Sequence, residues 1–442
     1  MANKSRPKKV LAPYRKYVAG QGFEHTRGFA SPSIDKDEEV EHKLPEDKSI
    51  EIINTPQGQY YYRTSTDTVV HIRGPSRTKQ IAQDDESIIQ IETRSMRLPW
   101  EIQSKILHIL KEEIDLRYLL VCKRWYFICL SFVYGHPHLS SRNFSKFVDT
   151  VISNRKKKFG EYVMELDLST ILQSGKNSYV SKLLRRCSSK LEKFTAPQTS
   201  FGYAPLISLK SCHQLKYLDL GLVSETVKLK ELFVAIQNFK HLTHLSFPRS
   251  SINCDGFREF QWPANLQYLK LSGGITNEFL RGTQWPKTIS TLEFSFCPQV
   301  DEIAVYTVLS QIGDVLQHLY FHYPMPSLNE NSLDHVFRYS SHLISVQFMV
   351  DYTTKWAFSE HLLTELVYPR PLKTIYLDCS GSLGLASKIH PDDFTIALME
   401  SRLPCLKAIS VSSKLGWDMK SDEVTDLVSV IEDQGGSIYL TY

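Results

Sequence analysis

From residue 163 onward the chain returns to one short pattern, L-x-x-L-x-L, with isoleucine, valine or phenylalanine standing in for some leucines. The copies are VMELDL at 163, LEKFTA at 191, LKYLDL at 215, LTHLSF at 242 and LQYLKL at 266. They continue as ISTLEF at 289, LQHLYF at 316, LISVQF at 343, LKTIYL at 372 and LKAISV at 406, with a degenerate copy, GSIYLT, at 436. Successive full copies lie 23 to 34 residues apart. Self-similarity at such a period is the signature of a repeat architecture, in which each unit is one strand-containing element stacked on the next.

Alternation within the pattern predicts a short strand. Its fourth and sixth positions point into a core, and its third, fifth and seventh lie on the open face of a parallel sheet. Amphipathic segments between strands, such as NSLDHVFRYSSH and PDDFTIALMESR, read as helices that cover the other face. The spacing is that of leucine-rich repeats. The expected fold is α/β, a curved solenoid of about ten or eleven units with its sheet concave and its helices outside. No unit of such an array is stable alone, and both ends need caps. In SDEVTDLVSVIEDQGG, Ser421 is the expected N-cap of a last helix and Gly435 its stop.

The open face can be read off the same template. Tyr217, His244, Tyr268, Glu293, His318, Tyr320, His322 and Tyr376 are its most informative members. The tyrosines fall on alternate units, and tyrosine-rich concave surfaces suit protein recognition. Arginine and lysine are scarce there, which argues against a phosphate backbone as ligand, as does the net charge of +4. His318 and His322 share a strand face, but a third metal ligand would have to come from another unit. No phosphate loop, G-x-S-x-G or H-E-x-x-H motif occurs. Cys297 is expected in the repeat core. The eight cysteines include no C-x-x-C pair, which fits a reducing compartment. No cofactor is implied.

A second feature precedes the repeats. Residues 98–130, LPWEIQSKILHILKEEIDLRYLLVCKRWYFICL, are apolar at more than half their positions, yet too often charged to cross a membrane. Leu98-Pro99 opens a helix, and Ile102, Ile106, Ile109 and Leu110 form a stripe on it. Asp115 is the expected N-cap of a second helix, in which Leu116, Leu119 and Leu120 run on into Val121, Trp125 and Ile128. So short a helical hairpin cannot hide that much apolar surface within itself.

Residues 1–49 open basic, turn acidic and contain few aliphatic side chains, so they read as a disordered tail. The RPKK run within them resembles an import signal but reads first as part of a solvated tail. The amino terminus lacks the apolar core of a signal peptide. Residues 50–95 are an extension with an expected β-hairpin around 56–58 and no assigned function. The remaining boundaries are 96–140 for the helical hairpin, 141–160 for a linker and solenoid cap, and 161–442 for the repeats. The basic run 155–158 reads as solvated linker.

Hairpin and repeats together resemble the F-box proteins of the leucine-rich-repeat class. The matching residues are Leu98-Pro99, Glu101-Ile102, Lys105-Ile106-Leu107, Leu110, Leu116 and above all LVCKRWY, Leu120 to Tyr126. FSFCPQVDEIAV echoes the cysteine-containing repeat subtype. The resemblance covers residues 98–442. It implies that the hairpin is an all-α F-box covered by a Skp-family adaptor, which links it to the cullin and RING subunits of an SCF ubiquitin ligase. Leu98, Pro99, Ile102, Ile106, Leu110, Leu119, Val121 and Trp125 would divide between adaptor contact and the hairpin's own packing. The repeat face would hold an unidentified protein substrate, and the chain would catalyse nothing. Such a protein is expected in the cytoplasm or nucleus, without nucleic-acid or membrane partners. Two alternatives stand beside this reading. One is a scaffold that binds the adaptor without cullin. The other is a metal-dependent enzyme on the His318 and His322 strand.

Overall fold

A computed structural model describes residues 98–442 except 112, 154–157, 173–176 and 253, together with the backbone of five short strands nearer the amino terminus. Those five belong to a separate unit, Met1–Thr93. In it Lys16–Val18 pairs antiparallel with Gly22–Glu24, and Ile50–Thr55, Gly58–Arg63 and Thr68–His71 form a three-stranded antiparallel sheet. The rest of the expected tail over 1–49, the remainder of 50–95 and most of the basic run at 155–158 lie outside the described residues.

The second unit, Arg94–Tyr442, contains the repeats. Each copy of the pattern forms a strand: β1 Glu165–Asp167, β2 Lys193–Thr195, β3 Tyr217–Asp219, β4 His244–Ser246, β5 Tyr268–Leu271 and β6 Thr291–Ser295. The series continues with β7 His318–His322, β8 Ser345–Met349, β9 Thr374–Asp378, β10 Ala408–Ser412 and β11 Ser437–Thr441. They form one 11-stranded sheet in strict sequence order, each strand parallel to the next. A repeating hydrogen bond locks the stacking. The carbonyl just ahead of each strand from β1 to β9 accepts two N–H groups from the next unit, as Gln267 O does from Ser290 and Thr291.

The fourth template position makes a continuous spine. Leu166, Phe194, Leu218, Leu245, Leu269, Leu292, Leu319, Val346, Ile375 and Ile409 are in register across the sheet and fully buried. Each such side chain stabilises the fold by roughly 1.5–3 kcal/mol relative to exposure. At the far end Ser421 Oγ accepts the Val424 N–H and caps the last helix, Asp422–Asp433. Gly435 then takes φ +73°, a conformation that side chains disfavour. Cys297 lies fully buried, its thiol donating to Leu271 O, and burial pushes it up to about 12. It stays a protonated thiol, unsuited to attack.

The expected helices are not all realised. PDDFTIALMESR forms a helix over Pro391–Met399, but NSLDHVFRYSSH is mostly turns with a single helical stretch, Val336–Tyr339. In the latter Asp334 bonds Thr354 of the next unit instead of capping a long helix. The hairpin also differs from expectation. Helix α1, Trp100–Ile109, is followed by a 3-10 turn, Leu116–Leu120, and then by α2, Lys123–Gly135. Asp115 caps the turn, accepting the Arg117 N–H at 2.7 Å, and not the long helix. Cys122, fully extended, breaks the chain between turn and helix, and its Sγ caps α2 at the Trp125 N–H. The apolar spacing runs unbroken through residues 116–128, so periodicity could not show the break.

The carboxyl half of α2 is built into the solenoid. Leu130 belongs to the repeat core, and Tyr134 stacks on Phe159 with ring centroids 4.9 Å apart. Helix α3, Phe144–Ser153, buries Phe144, Val148 and Val151 against the same end. Gly135 O, the last residue of α2, accepts the Met164 N–H at 2.9 Å. The hairpin thus occupies the place of a unit upstream of β1.

Candidate partner-binding surfaces

Two surfaces stand out. The first is the hairpin. Within it Leu107 and Cys129 are fully buried between α1 and α2. Trp125 is half-buried, its Nε1 donating to Gln103 Oε1 at 3.0 Å while its ring stacks on Tyr118. Leu110 and Leu119 are also half-buried, Leu119 against the core of the solenoid. Leu98, Pro99, Ile102, Ile106 and Val121 are exposed. Sequence reasoning singled out these five but not the most open side chains, Leu120 at 85%, Ile109 at 81% and Phe127 at 65% exposure, nor Leu116 and Trp100 beside them. Ile109 sits on the same stripe as Ile102 and Ile106, a signal that could have included it. Leu119, Leu120, Tyr126 and Phe127 also line a largely apolar groove of about 770 Å³ against Phe159 and Tyr162 of the solenoid cap.

The second surface is the concave face, which the strand register organises into transverse rows. One row carries Glu165, Lys193, Tyr217, His244, Tyr268, Thr291, His318, Ser345 and Thr374. Its neighbour carries Asp167, Thr195, Asp219, Ser246, Lys270, Glu293, Tyr320, Gln347, Tyr376, Ser410 and Tyr439. In the first row the His244 ring is sandwiched between Tyr217 and Tyr268, with centroids 4.0 and 3.8 Å away. Burial between the rings pushes His244 down to about 4, against the pull of Asp219 and Glu293, so it is neutral at pH 7. Burial, with Asp219 beside it, pushes Tyr217 up to about 12.

Glu293 corrects the expectation of an open contact. It is only 8% exposed. Its carboxylate is ringed by the Lys270 ammonium, the Tyr268 hydroxyl and His322 Nε2, the last at 3.0 Å. Burial alone would raise its pKa, but the hydrogen bonds from His322, Lys270 and Tyr268 outweigh burial and hold it down at about 2. Burial and the bond to this carboxylate in turn push Tyr268 up. Glu293 therefore fixes the directions of its neighbours. Ser246, Ser345, Met349, Ser410 and Ser412 are buried as well, against the simple alternation. At Ser345 the cause is visible, since its Oγ lies 2.7 Å from His318 Nδ1 and 2.8 Å from the Tyr320 hydroxyl.

His318 and His322 do share a face, but they engage Ser345 and Glu293 respectively. Among the described residues no three histidine, cysteine, aspartate or glutamate side chains are grouped to hold a metal ion. Nor is any described helix long and apolar enough to cross a membrane. Tyr376 stands open, and Tyr439, 55% exposed, was missed because the last copy of the pattern is degenerate.

Residues 96–174 match the COS11 F-box domain family. F-box protein YDR306C of Saccharomyces cerevisiae is 60% identical, spanning 100% of both chains. Protein pof5 of Schizosaccharomyces pombe is 34% identical over 73% of this chain and 91% of its own. Among solved structures, one from the yeast Rad7 and Elc1 complex aligns with 76% of this chain and 89% of its own, at 14% identity and a TM-score of 0.40. With its hairpin at the head of an 11-stranded leucine-rich-repeat solenoid, the chain belongs to the F-box protein family.

Proposed function

We propose that this protein is the substrate-recognition subunit of an SCF-type ubiquitin ligase. One observation carries the reading: Leu98, Ile102, Ile106, Ile109, Leu116, Leu120 and Val121 lie exposed on one short hairpin whose interior is already filled. Apolar surface concentrated in this way marks an interface. A Skp-family adaptor covers it, and cullin and RING subunits follow through the adaptor. The concave face holds the protein substrate, with Tyr217, His244, Tyr268, Tyr320 and Tyr376 as contacts and Glu293 as the residue that positions Tyr268. The chain supplies no catalytic group. It acts by raising the effective concentration of substrate lysines near a charged conjugating enzyme. The setting is the cytoplasm or the nucleus.

The test is co-expression with a Skp-family adaptor, beside a variant carrying Leu98→Ala, Pro99→Ala and Val121→Ala. A stoichiometric complex that the variant loses, and that then recruits cullin, is the expected result. An adaptor complex that never takes up cullin would leave the scaffold reading in its place. A well-behaved monomer with no adaptor bound would end both.

A further inference from the structure

The two ends of the sheet are finished differently. At β1 the edge is covered: Met164 N donates to Gly135 O, and α2 and α3 close over the core. At β11, among the described residues, no strand pairs on the outer side. Ser437 N donates inward to Lys407 O. Since N–H groups alternate sides along a strand, those of Ile438 and Leu440 point outward, with no partner strand. The core is unfinished there too. The spine position is fully buried at Ile409 but only partly at Ile438, and Leu440 is 38% exposed where Val411, its counterpart in β10, is fully buried.

We infer that the outer edge of β11 is a docking edge for an extended segment of a partner protein, one with apolar β-branched residues at alternate positions and basic residues flanking them. Strand addition would satisfy the outward N–H and C=O groups, and the alternate apolar side chains would cover Ile438 and Leu440. The flanking charge follows from the helix beside this edge. Asp422–Asp433 carries five acids, Asp422, Glu423, Asp426, Glu432 and Asp433, and no base. Of the nearby bases, Lys420 precedes the N-cap of this helix and Lys407 has its ammonium bound to Gln434 O, so the five acids remain in excess. A second copy docked edge to edge would bring two such helices together with like charge, which disfavours self-pairing. Tyr439 ends the row that runs back through Ser410 to Tyr376, so an added strand would extend the concave face by one more place.

The inference is independent of ubiquitin transfer and is tested on the full chain with its adaptor co-expressed. The probe is a fluorescein-labelled peptide, Lys-Arg-Val-Thr-Ile-Thr-Val-Thr-Arg-Lys, read by anisotropy. Beside it stand the same core with glutamate flanks and the same peptide with its central amides N-methylated. Binding of the basic peptide, weakened about tenfold or more by acidic flanks, by N-methylation and by Leu440→Pro, is the expected result. Leu440→Pro removes one outward donor and leaves the inward ladder intact. Should that variant fail to fold, the methylated peptide asks the same question of the unaltered chain. Equal binding of the methylated peptide, or no binding by any peptide, overturns the inference. So does a concentration-dependent dimer in sedimentation that Leu440→Pro dissolves, which would make a second copy the occupant. Adaptor co-purification is scored in the same samples, so a hairpin without adaptor and an edge without peptide are separate results.

Discussion

The hairpin and the solenoid are both rich in leucine and isoleucine, and they use them in opposite ways. In the solenoid every spine residue from Leu166 to Ile409 is fully buried, because each unit packs against a similar neighbour or, at the head, against the end of α2. In the hairpin Leu107 is buried while Ile109, two residues on, is 81% exposed. The difference teaches that apolar content does not by itself measure self-sufficiency. A repeat supplies its own complement; a hairpin at the head of the array leaves part of its surface for another chain.

That contrast can be broken at several points. The largest effect should come from the spine: Leu292→Ala is expected to cost about 2–5 kcal/mol of stability in urea denaturation. Leu120→Asp is expected to change stability by less than about 0.5 kcal/mol, as surface substitutions do, yet to abolish adaptor capture. If Leu120→Asp unfolds the protein instead, the hairpin is part of the core and the contrast fails. Glu293→Gln should cost roughly 1–3 kcal/mol by weakening the bonds that hold Lys270 and His322.

The pH dependence sharpens the comparison further. The folded-state pKa of Glu293 is depressed, so its contribution is present above its ordinary value of 4.5 and is lost as pH falls towards about 2. His244 is held neutral, so the unfolded chain takes up a proton that the folded one refuses between 6.5 and about 4. Both make the solenoid less stable in acid. A pH series of melting temperatures should be flatter below pH 6.5 for His244→Phe and flatter below pH 4.5 for Glu293→Gln. The most local effect belongs to Asp115→Ala, about 1 kcal/mol from loss of its cap, seen as faster amide exchange in the turn it begins.

The strands were legible because their period of two is written in fixed leucines, and the ten full copies lie where the pattern places them; the degenerate copy at 436 forms its strand one residue out of register, with Ile438 and not Tyr439 on the spine. Legibility ended where a property depends on a neighbour one strand away. Glu293 reads as an open-face acid until Lys270, Tyr268 and His322 close around it. The break at Cys122 was hidden because the apolar spacing passes through it unchanged, while the cap itself is a single sulfur atom. The exposure of Leu120 and Phe127 is a matter of what does not pack on them, which local pattern cannot express.

The join at Gly135 has a consequence for reach. Because Gly135 O at the end of α2 accepts the Met164 N–H and Leu130 shares the repeat core, the hairpin packs directly on the head of the sheet. Strands at about 4.8 Å spacing then carry the concave face roughly 50 Å from β1 to β11. Position along the rows is therefore a ruler graduated from the hairpin outward. Cargo seated near Asp167 and cargo seated near Tyr439 would be presented at different radii, and the same arm could select among targets by length alone.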